Sequence, residues 1–223
     1  MNKSYLVLLI IFLYSVSWPS YSQSNYCNKK KFDPELILKW SIGNDDALVE
    51  VTILTSLDCY HCAGIHRDVL PLLRKNYVDT GKIKYTSIHV PGSLKSLMLE
   101  KIAHCYAWNG TDQQSQAERY FSLMNLLYKI QGSFVNQTNI QGYVKQIGMI
   151  NKINNPRFDK CVNDDDIQDQ LVNSYHMVLC REDGYYGTPE IIINGKKLLG
   201  YKDYDVLAKE IDNALQKAKK EKL

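Results

Sequence analysis

A pair of cysteines separated by two residues constrains the fold of this chain more than any other feature. Residues 48–57, LVEVTILTSL, are β-branched and apolar and too short for a helix, which predicts a buried strand. Cys59 and Cys62 follow at once, and AGIHRDVLPLLRKNY then carries apolar residues at helical spacing. The pair is therefore predicted to lie at the N-terminus of a helix that follows a central strand.

This position favours redox chemistry. A thiolate at a helix N-terminus is stabilised by free backbone N–H groups and by the positive end of the helix dipole. Cys59 would occupy that end, and Cys62 would lie one turn deeper on the same face, within disulfide reach. One exposed thiol of low pKa and one buried resolving thiol are what reversible exchange requires. His61 could donate to the Cys59 thiolate or attract it as a cation, which would make the disulfide a stronger oxidant.

Other interpretations of these residues stay open. Two cysteines at this spacing can form a structural disulfide across a tight turn. A zinc site could use Cys59, Cys62 and His66, although no second ligand pair with suitable spacing follows. His61 could also be a surface histidine without an electronic role.

The N-terminus has the pattern of a secretory signal. Lys3 precedes an apolar run over residues 5–16, and Ser20-Tyr21-Ser22 or Ser22-Gln23-Ser24 could meet the small-x-small cleavage rule. The run is shorter than the ~20 residues that span a bilayer. We expect a signal peptide over residues 1–22, export to the periplasm and a soluble mature protein; an uncleaved anchor is the alternative. All six cysteines follow the signal and would meet an oxidising compartment, where structural disulfides are plausible.

The rest of the chain predicts an α/β fold with a helical insertion. Residues 82–90 alternate like a second strand, GTPEIIING gives a short buried strand, and Asn194-Gly195 predicts a hairpin turn before KKLLG. Between these strands the pattern predicts four helices, over residues 93–108, 112–131, 137–148 and 156–182. An amphipathic helix is expected from about Asp203, with an apolar face of Val206, Leu207, Ile211, Ala214 and Leu215.

Taken together, these residues resemble the DsbA-like thiol:disulfide oxidoreductases of the thioredoxin fold. IGNDDALVEVTILTSLDCYHC is similar to that family's first strand and active-site helix, GTPEIIINGKKLLGY to its cis-proline hairpin, and KIAHCYAWNG with AERYFSLMNLLY to its inserted helical domain. The likeness covers roughly residues 40–215. It implies a mixed central sheet flanked by helices, divided into a thioredoxin-like part (41–91), an inserted all-helical domain (92–183) and a second thioredoxin-like part (184–223), after an N-terminal segment at 23–40.

The resemblance also implies roles for single residues. Cys59 would be the attacking nucleophile and Cys62 the resolving thiol. The Thr188–Pro189 bond would be cis and packed against the Cys59 sulfur, with the Thr188 backbone turned outward to pair with an extended substrate peptide.

Some members of the family carry a second, structural disulfide in the helical domain, and for this chain the resemblance implies a bridge between Cys105 and Cys161. Cys27 and Cys180 could form a further bridge, but four cysteines allow three pairings and the sequence does not choose among them.

The chain departs from the family pattern at two places. The family usually has a buried acid six residues before the first cysteine, and this position is Ile53. Glu50 and Asp58 are nearby, but strand alternation puts neither clearly under Cys62. The residues between the cysteines are Tyr60 and His61, so the histidine of strong oxidants is retained while the proline is replaced.

The resulting hypothesis is an exported dithiol oxidase that acts on reduced or unfolded proteins. The resemblance implies reoxidation by a quinone-linked membrane oxidase, and no metal or organic cofactor is expected. The net charge of +3 is too small and too local for nucleic-acid binding. A disulfide isomerase or reductase of the same fold is the alternative, but residues 23–40 are short for a dimerisation domain, so we expect a monomer. A non-redox, glutathione-transferase-like binding module is disfavoured by the intact cysteine pair.

Overall fold

The structure is a computed structural model that describes residues 27, 33–133, 142 and 156–221. The chain divides into two compact units, residues 1–33 and 34–223. The fold described below belongs to the second unit. The expected signal peptide and the helix expected over residues 137–148 lie outside the described residues, apart from Gly142.

A mixed sheet lies at the centre of this unit. Within the described residues it has five strands in the order β1-β3-β2-β4-β5, in which β2 and β3 are parallel and the other neighbours antiparallel. The strands are β1 (Trp40–Gly43), β2 (Val49–Thr55), β3 (Ile83–His89), β4 (Glu190–Ile193) and β5 (Lys196–Leu199). Strand β2 lies in the middle, and its apolar side chains are fully buried, which agrees with the uninterrupted apolar run.

The expected hairpin joins β4 to β5. Asn194 and Gly195 have φ values of 44° and 84°, and a two-residue type I′ turn requires positive φ at both positions. The Asn194 side chain also accepts a hydrogen bond from the Glu50 N–H at 2.8 Å. The turn is therefore anchored to the neighbouring strand β2.

The cysteine pair begins helix α1, which follows β2. This helix has four consecutive parts, with α-helical pitch over Tyr60–Gly64 and Leu70–Leu73 and π-helical pitch over Ile65–Val69 and Arg74–Val78. Pro71 lacks a backbone N–H and its ring crowds the preceding turn, which accounts for the wider turn before it.

Four α-helices with described bounds lie between β3 and β4, and a short 3-10 helix (Gln131–Ser133) follows the second of them. The four α-helices are α2 (Leu94–Ala107), α3 (Gln113–Lys129), α4 (Pro156–Val162) and α5 (Asp165–Leu179). The prediction of a single helix over residues 156–182 is wrong, because the Asp164 side chain accepts a hydrogen bond from the Asp166 N–H and starts a new helix. Cys105 of α2 and Cys161 of α4 form a disulfide, the pairing that the resemblance implied.

Helix α6 (Tyr204–Glu221) closes the chain and packs on the sheet. Leu207 and Ile211 are fully buried, and Ala214 and Leu215 are partly buried against the core. The expectation that Val206 belongs to this face is wrong, since its side chain is 41% exposed. Successive residues on a helix are about 100° apart, so Val206 is turned away when Leu207 faces the sheet.

None of the described helices combines the length and the apolar character that a membrane span requires.

Candidate active site

Cys59 is the N-cap residue of α1. Its backbone is extended, and its Sγ accepts a hydrogen bond from the Cys62 N–H at 3.1 Å. The Cys62 side chain and backbone both donate to this sulfur and lower the Cys59 pKa to about 6, although partial burial opposes the shift. Because a thiolate is the reactive form of cysteine, the geometry gives Cys59 the character of a nucleophile near neutral pH.

Cys62 has the opposite environment. Its side chain is fully buried, and burial raises the pKa of its thiol. Both cysteines are free thiols, whereas Cys27 and Cys180, like the pair in the helical part, are disulfide-bonded. The structure therefore places an accessible thiol of low pKa next to a buried thiol of high pKa, the combination that disulfide exchange requires.

Thr188 and Pro189 face Cys59 across the start of the helix. Their peptide bond is cis, and the Cys59 thiol donates a hydrogen bond to the Thr188 carbonyl oxygen at 3.4 Å. A hydrogen bond with the Thr188 side chain is a further contribution to the lowered Cys59 pKa. A groove of about 240 Å³ opens beside the sulfur, and it is lined by Ser56, Asp58, Val90, Pro91, Gly92, Tyr175 and Tyr185 as well as by Cys59 and Thr188.

The two residues between the cysteines are exposed. The His61 ring centroid lies 6.0 Å from that of Tyr60 and 6.4 Å from that of Tyr201. The contribution of His61 to the lowered Cys59 pKa comes from its backbone N–H. An electronic role for its imidazole stays a prediction.

His66, the third residue of the zinc alternative, is engaged elsewhere. Its ring is buried, stacks on Tyr128 at 3.9 Å between centroids, and its Nδ1 lies 3.0 Å from the Asn125 Oδ1. Within the part of the chain that the structure describes, no three His, Cys, Asp or Glu side chains are grouped to hold a metal ion.

The carboxylates that the sequence placed near the pair do not approach Cys62. Glu50 is exposed and accepts hydrogen bonds from the Thr52 and Thr86 hydroxyls. Asp58 is also exposed, and its two oxygens accept from the Gly92 N–H at 3.0 Å and from the Ser93 hydroxyl at 2.8 Å. Ile53, at the position of the family's acid, is fully buried in the core.

Two supports of the cysteine turn were missed by the sequence reasoning. The first is Gln131, just after α3, whose side-chain amide donates to the backbone carbonyls of Leu57 and Cys59. Sequence alone gives no signal for it, because the contact spans more than seventy residues.

The second support is a buried polar network. The Leu57 N–H donates to His89 Nε2 at 3.0 Å, and the other ring nitrogen of His89 lies 3.3 Å from the Glu100 carboxylate. Glu100 also accepts from His104 at 3.0 Å and from the Tyr120 hydroxyl at 2.8 Å. Burial lowers the pKa of His89. Burial alone would raise the pKa of the Glu100 carboxyl, but the two histidines and the Tyr120 hydroxyl hold it below its usual value. The only sign of this network in the sequence is that its polar residues lie on otherwise apolar faces of their strand and helices.

Comparison with known proteins agrees with this geometry. The model of the thioredoxin family matches residues 38–213. The crystal structure of Wolbachia pipientis alpha-DsbA1 superposes with a TM-score of 0.71 at 26% identity, covering 83% of this chain and 94% of that one. The chain is a DsbA-like member of the thioredoxin family. The thioredoxin fold, with its mixed sheet and helices inserted between β3 and β4, is the one that the resemblance implied.

Relatives of this DsbA-like chain carry names from disulfide chemistry. A Rickettsia typhi relative named as a protein-disulfide oxidoreductase is 25% identical over 181 residues, which are 81% of this chain. The chain spans 63% of the length of that relative. Disulfide bond formation protein D of Bacillus subtilis is 22% identical, over 78% of this chain and 76% of its own.

Proposed function

We propose that this protein is an exported thiol:disulfide oxidoreductase that introduces disulfides into substrate proteins through a mixed disulfide at Cys59. The observation that carries the proposal is the Cys59 sulfur at the helix N-terminus, which accepts a hydrogen bond from the Cys62 N–H and lies next to a fully buried Cys62. A stabilised Cys59 thiolate favours the reduced enzyme, so it makes the Cys59–Cys62 disulfide more oxidising than one formed by unperturbed thiols. The names of the relatives support the same chemistry.

The reaction has two exchange steps. A substrate thiolate attacks the Cys59 sulfur of the oxidised enzyme; a bond forms between them, the Cys59–Cys62 bond breaks, and Cys62 leaves as a thiolate that takes up a proton. A second substrate thiolate then attacks the substrate sulfur of the mixed disulfide and expels the Cys59 thiolate. The substrate loses two electrons and gains a disulfide, and the enzyme is left reduced. Its own sulfur atoms carry the electrons, so the proposal includes no cofactor.

The groove beside Cys59 is the proposed substrate site. An extended peptide there would pair with the Thr188 backbone as an added strand and bring its cysteine to the Cys59 sulfur. We infer that the substrates are reduced, incompletely folded proteins, because such chains present extended backbone. A quinone-linked membrane oxidase is the proposed partner for reoxidation, and the proposed state of the enzyme is a monomer.

The decisive measurement is the reduction potential of the Cys59–Cys62 pair against a glutathione buffer. A value near −120 mV, about that of a strong oxidant, supports the oxidase, and a value near thioredoxin's, about −270 mV, would contradict it. Cys59→Ser should abolish oxidation of a reduced dithiol peptide. Reduced Cys62→Ser should instead trap a mixed disulfide with an oxidised peptide, since no resolving thiol remains.

A disulfide isomerase is the competing function. Refolding of a scrambled protein with several disulfides, compared with oxidation of the same protein in reduced form, separates the two activities. The oxidase proposal expects the second reaction to be much the faster, and it expects a monomeric mass in solution.

Export is proposed from residues 1–22. Expression of the full chain in a bacterium, followed by cell fractionation and mass analysis, should find a protein outside the cytoplasm that has lost this segment. A full-length protein in the membrane fraction would support the uncleaved anchor instead.

A further inference from the structure

The buried Cys62 sulfur needs a route for protons, and this need rests on the proposed exchange reaction. Cys62 must accept a proton when its disulfide opens and lose one when it closes again. A thiolate is costly in a fully buried position, so the proton has to move as the bond changes. The carboxylates of Glu50 and Asp58 are exposed and committed to other donors.

A pair of hydroxyl groups lies near Cys62 instead. The Thr55 side chain, at the end of β2, is one of the polar groups near Cys62, and it lowers the pKa of the Cys62 thiol against the effect of burial. The Thr55 hydroxyl lies 2.6 Å from the Tyr128 hydroxyl of α3. Thr55 and Tyr128 are both buried, with 1% and 3% of their surfaces exposed. Two hydroxyls in direct contact can each accept one proton while donating another.

The Tyr128 ring is held in a fixed position. His66 stacks on it at 3.9 Å between centroids and is itself anchored to the Asn125 side chain. Tyr128 also lines a surface cleft of about 650 Å³, together with Tyr60 and Gln131. The Thr55 and Tyr128 hydroxyls therefore lie between the region of the buried sulfur and a tyrosine that lines the cleft.

We propose that the Thr55 and Tyr128 hydroxyls form the relay through which protons reach and leave the Cys62 sulfur. When the disulfide opens, Thr55 donates its proton to the Cys62 thiolate, Tyr128 replaces that proton, and water in the cleft replaces the one on Tyr128. When Cys62 attacks Cys59, the same protons move in the opposite direction. No net charge stays on either hydroxyl after the transfer.

The test follows Cys62 separately from Cys59. The reduced protein is mixed with dithiobis(nitrobenzoate). The Cys59 thiolate attacks the disulfide of this reagent, forms a mixed disulfide with one half and releases the other half as a coloured thiolate. Cys62 then attacks the Cys59 sulfur, gives up its proton and releases a second coloured thiolate. The first release reports the nucleophile and the second reports deprotonation of Cys62.

Tyr128→Phe keeps the ring and its stacking on His66 but removes the hydroxyl. We expect the second release to slow about tenfold, which is less than the roughly 100-fold or more that a general acid–base group typically contributes. The first release should change less than twofold. Thr55→Val should show the same pattern, and Thr55→Ser should restore the second release. In the wild type, the second release should be slower in deuterium oxide.

Tyr77→Phe is the matched control, because Tyr77 is a buried tyrosine whose hydroxyl is bonded to Asp212 on the last helix. The relay is wrong if folded Tyr128→Phe and Thr55→Val both release the second thiolate at the wild-type rate, or if Tyr77→Phe slows it equally. Failure of the proposed function is a different result: the wild type would then complete both releases but not oxidise a protein dithiol.

Discussion

The Cys59 sulfur lies 3.4 Å from the Thr188 carbonyl oxygen, across 129 positions of sequence. This contact brings the thiol of low pKa to the backbone segment that the family likeness assigned to substrate binding. It also links the loops at two neighbouring strands of the sheet, since Cys59 follows β2 and Thr188 precedes β4.

The Thr188 side chain is expected to tune the Cys59 pKa. Its hydrogen bond lowers that pKa, so Thr188→Val should raise it above the value of about 6 and make the disulfide a weaker oxidant. Titration of the ultraviolet absorbance of the thiolate measures the change. Thr52→Val, which removes a hydroxyl bonded to Glu50, is the control and should leave the Cys59 pKa unchanged.

Alkylation of the reduced protein should depend on pH at Cys59 and should not occur at Cys62. The rate at Cys59 is expected to rise as the pH passes through about 6 and then to level off, following the thiolate fraction. Cys62 should not react in the folded protein because it is fully buried. Mass analysis of digested protein after iodoacetamide treatment identifies the modified residue, and equal labelling of both cysteines would contradict the assignment.

The stability of the reduced protein should change with pH over the same range. The Cys59 pKa is about 6 in the folded state and about 9.0 as an unperturbed thiol. The resulting stabilisation is fully present above pH 9, shrinks as the pH falls and is lost below pH 6. The difference in free energy of unfolding between wild type and Cys59→Ser should therefore move in favour of the wild type between pH 6 and pH 9, as measured by urea denaturation.

A buried ion pair between residues on either side of Pro189 should contribute to the stability of the folded protein. Glu190 is fully buried, and its carboxylate accepts a hydrogen bond from Arg181 at 2.6 Å. Arg181→Met removes the direct hydrogen bond and leaves this carboxylate with Lys197 at 3.7 Å, so it should cost about 3 kcal/mol in the free energy of unfolding. The double variant Arg181→Met/Glu190→Met should recover much of this loss.

The exposed pair between Arg67 and Asp68 provides the comparison. Both side chains are about half exposed, so Arg67→Met should cost less than about 1 kcal/mol. Chemical denaturation of the three variants tests the contrast, and a loss in Arg181→Met no larger than in Arg67→Met would argue against a structural role for the buried pair.

Gln131 should matter for the cysteine turn. Gln131→Met has similar length but cannot donate to the Leu57 and Cys59 carbonyls, so we expect a stability loss of about 1 kcal/mol and a few-fold slower exchange at Cys59. Gln116→Met removes a similar amide bonded to Gly110 and is the control. Hydrogen exchange of the backbone amides at 59–62 should be faster in Gln131→Met alone.

Local patterns in the sequence were sufficient for the main features of the fold. The apolar run of β2, the cysteine pair and the Asn194-Gly195 turn each specify a conformation over a few residues, and the structure has all three. Strand β1 was missed because its four residues carry too little pattern to be separated from the segment before them.

The supports of the site could not be predicted in the same way. Glu100 and His89 are polar residues in a helix and a strand, and nothing local indicates that they meet under Leu57. Whether Tyr128 faces solvent or Thr55 depends on how α3 packs on the sheet. Such contacts are set by tertiary packing, whereas hydrophobic periodicity reports only which face of an element is buried.

The position of Gln131 has a consequence for evolution and for protein engineering. It follows α3, inside the stretch that separates β3 from β4, yet it binds the turn that carries the nucleophile. A chimera that exchanged this stretch for one without a side-chain amide at this position would keep both cysteines and still lose the donor to their backbone. The helical stretch and the catalytic turn are thus expected to be inherited together, as one functional unit.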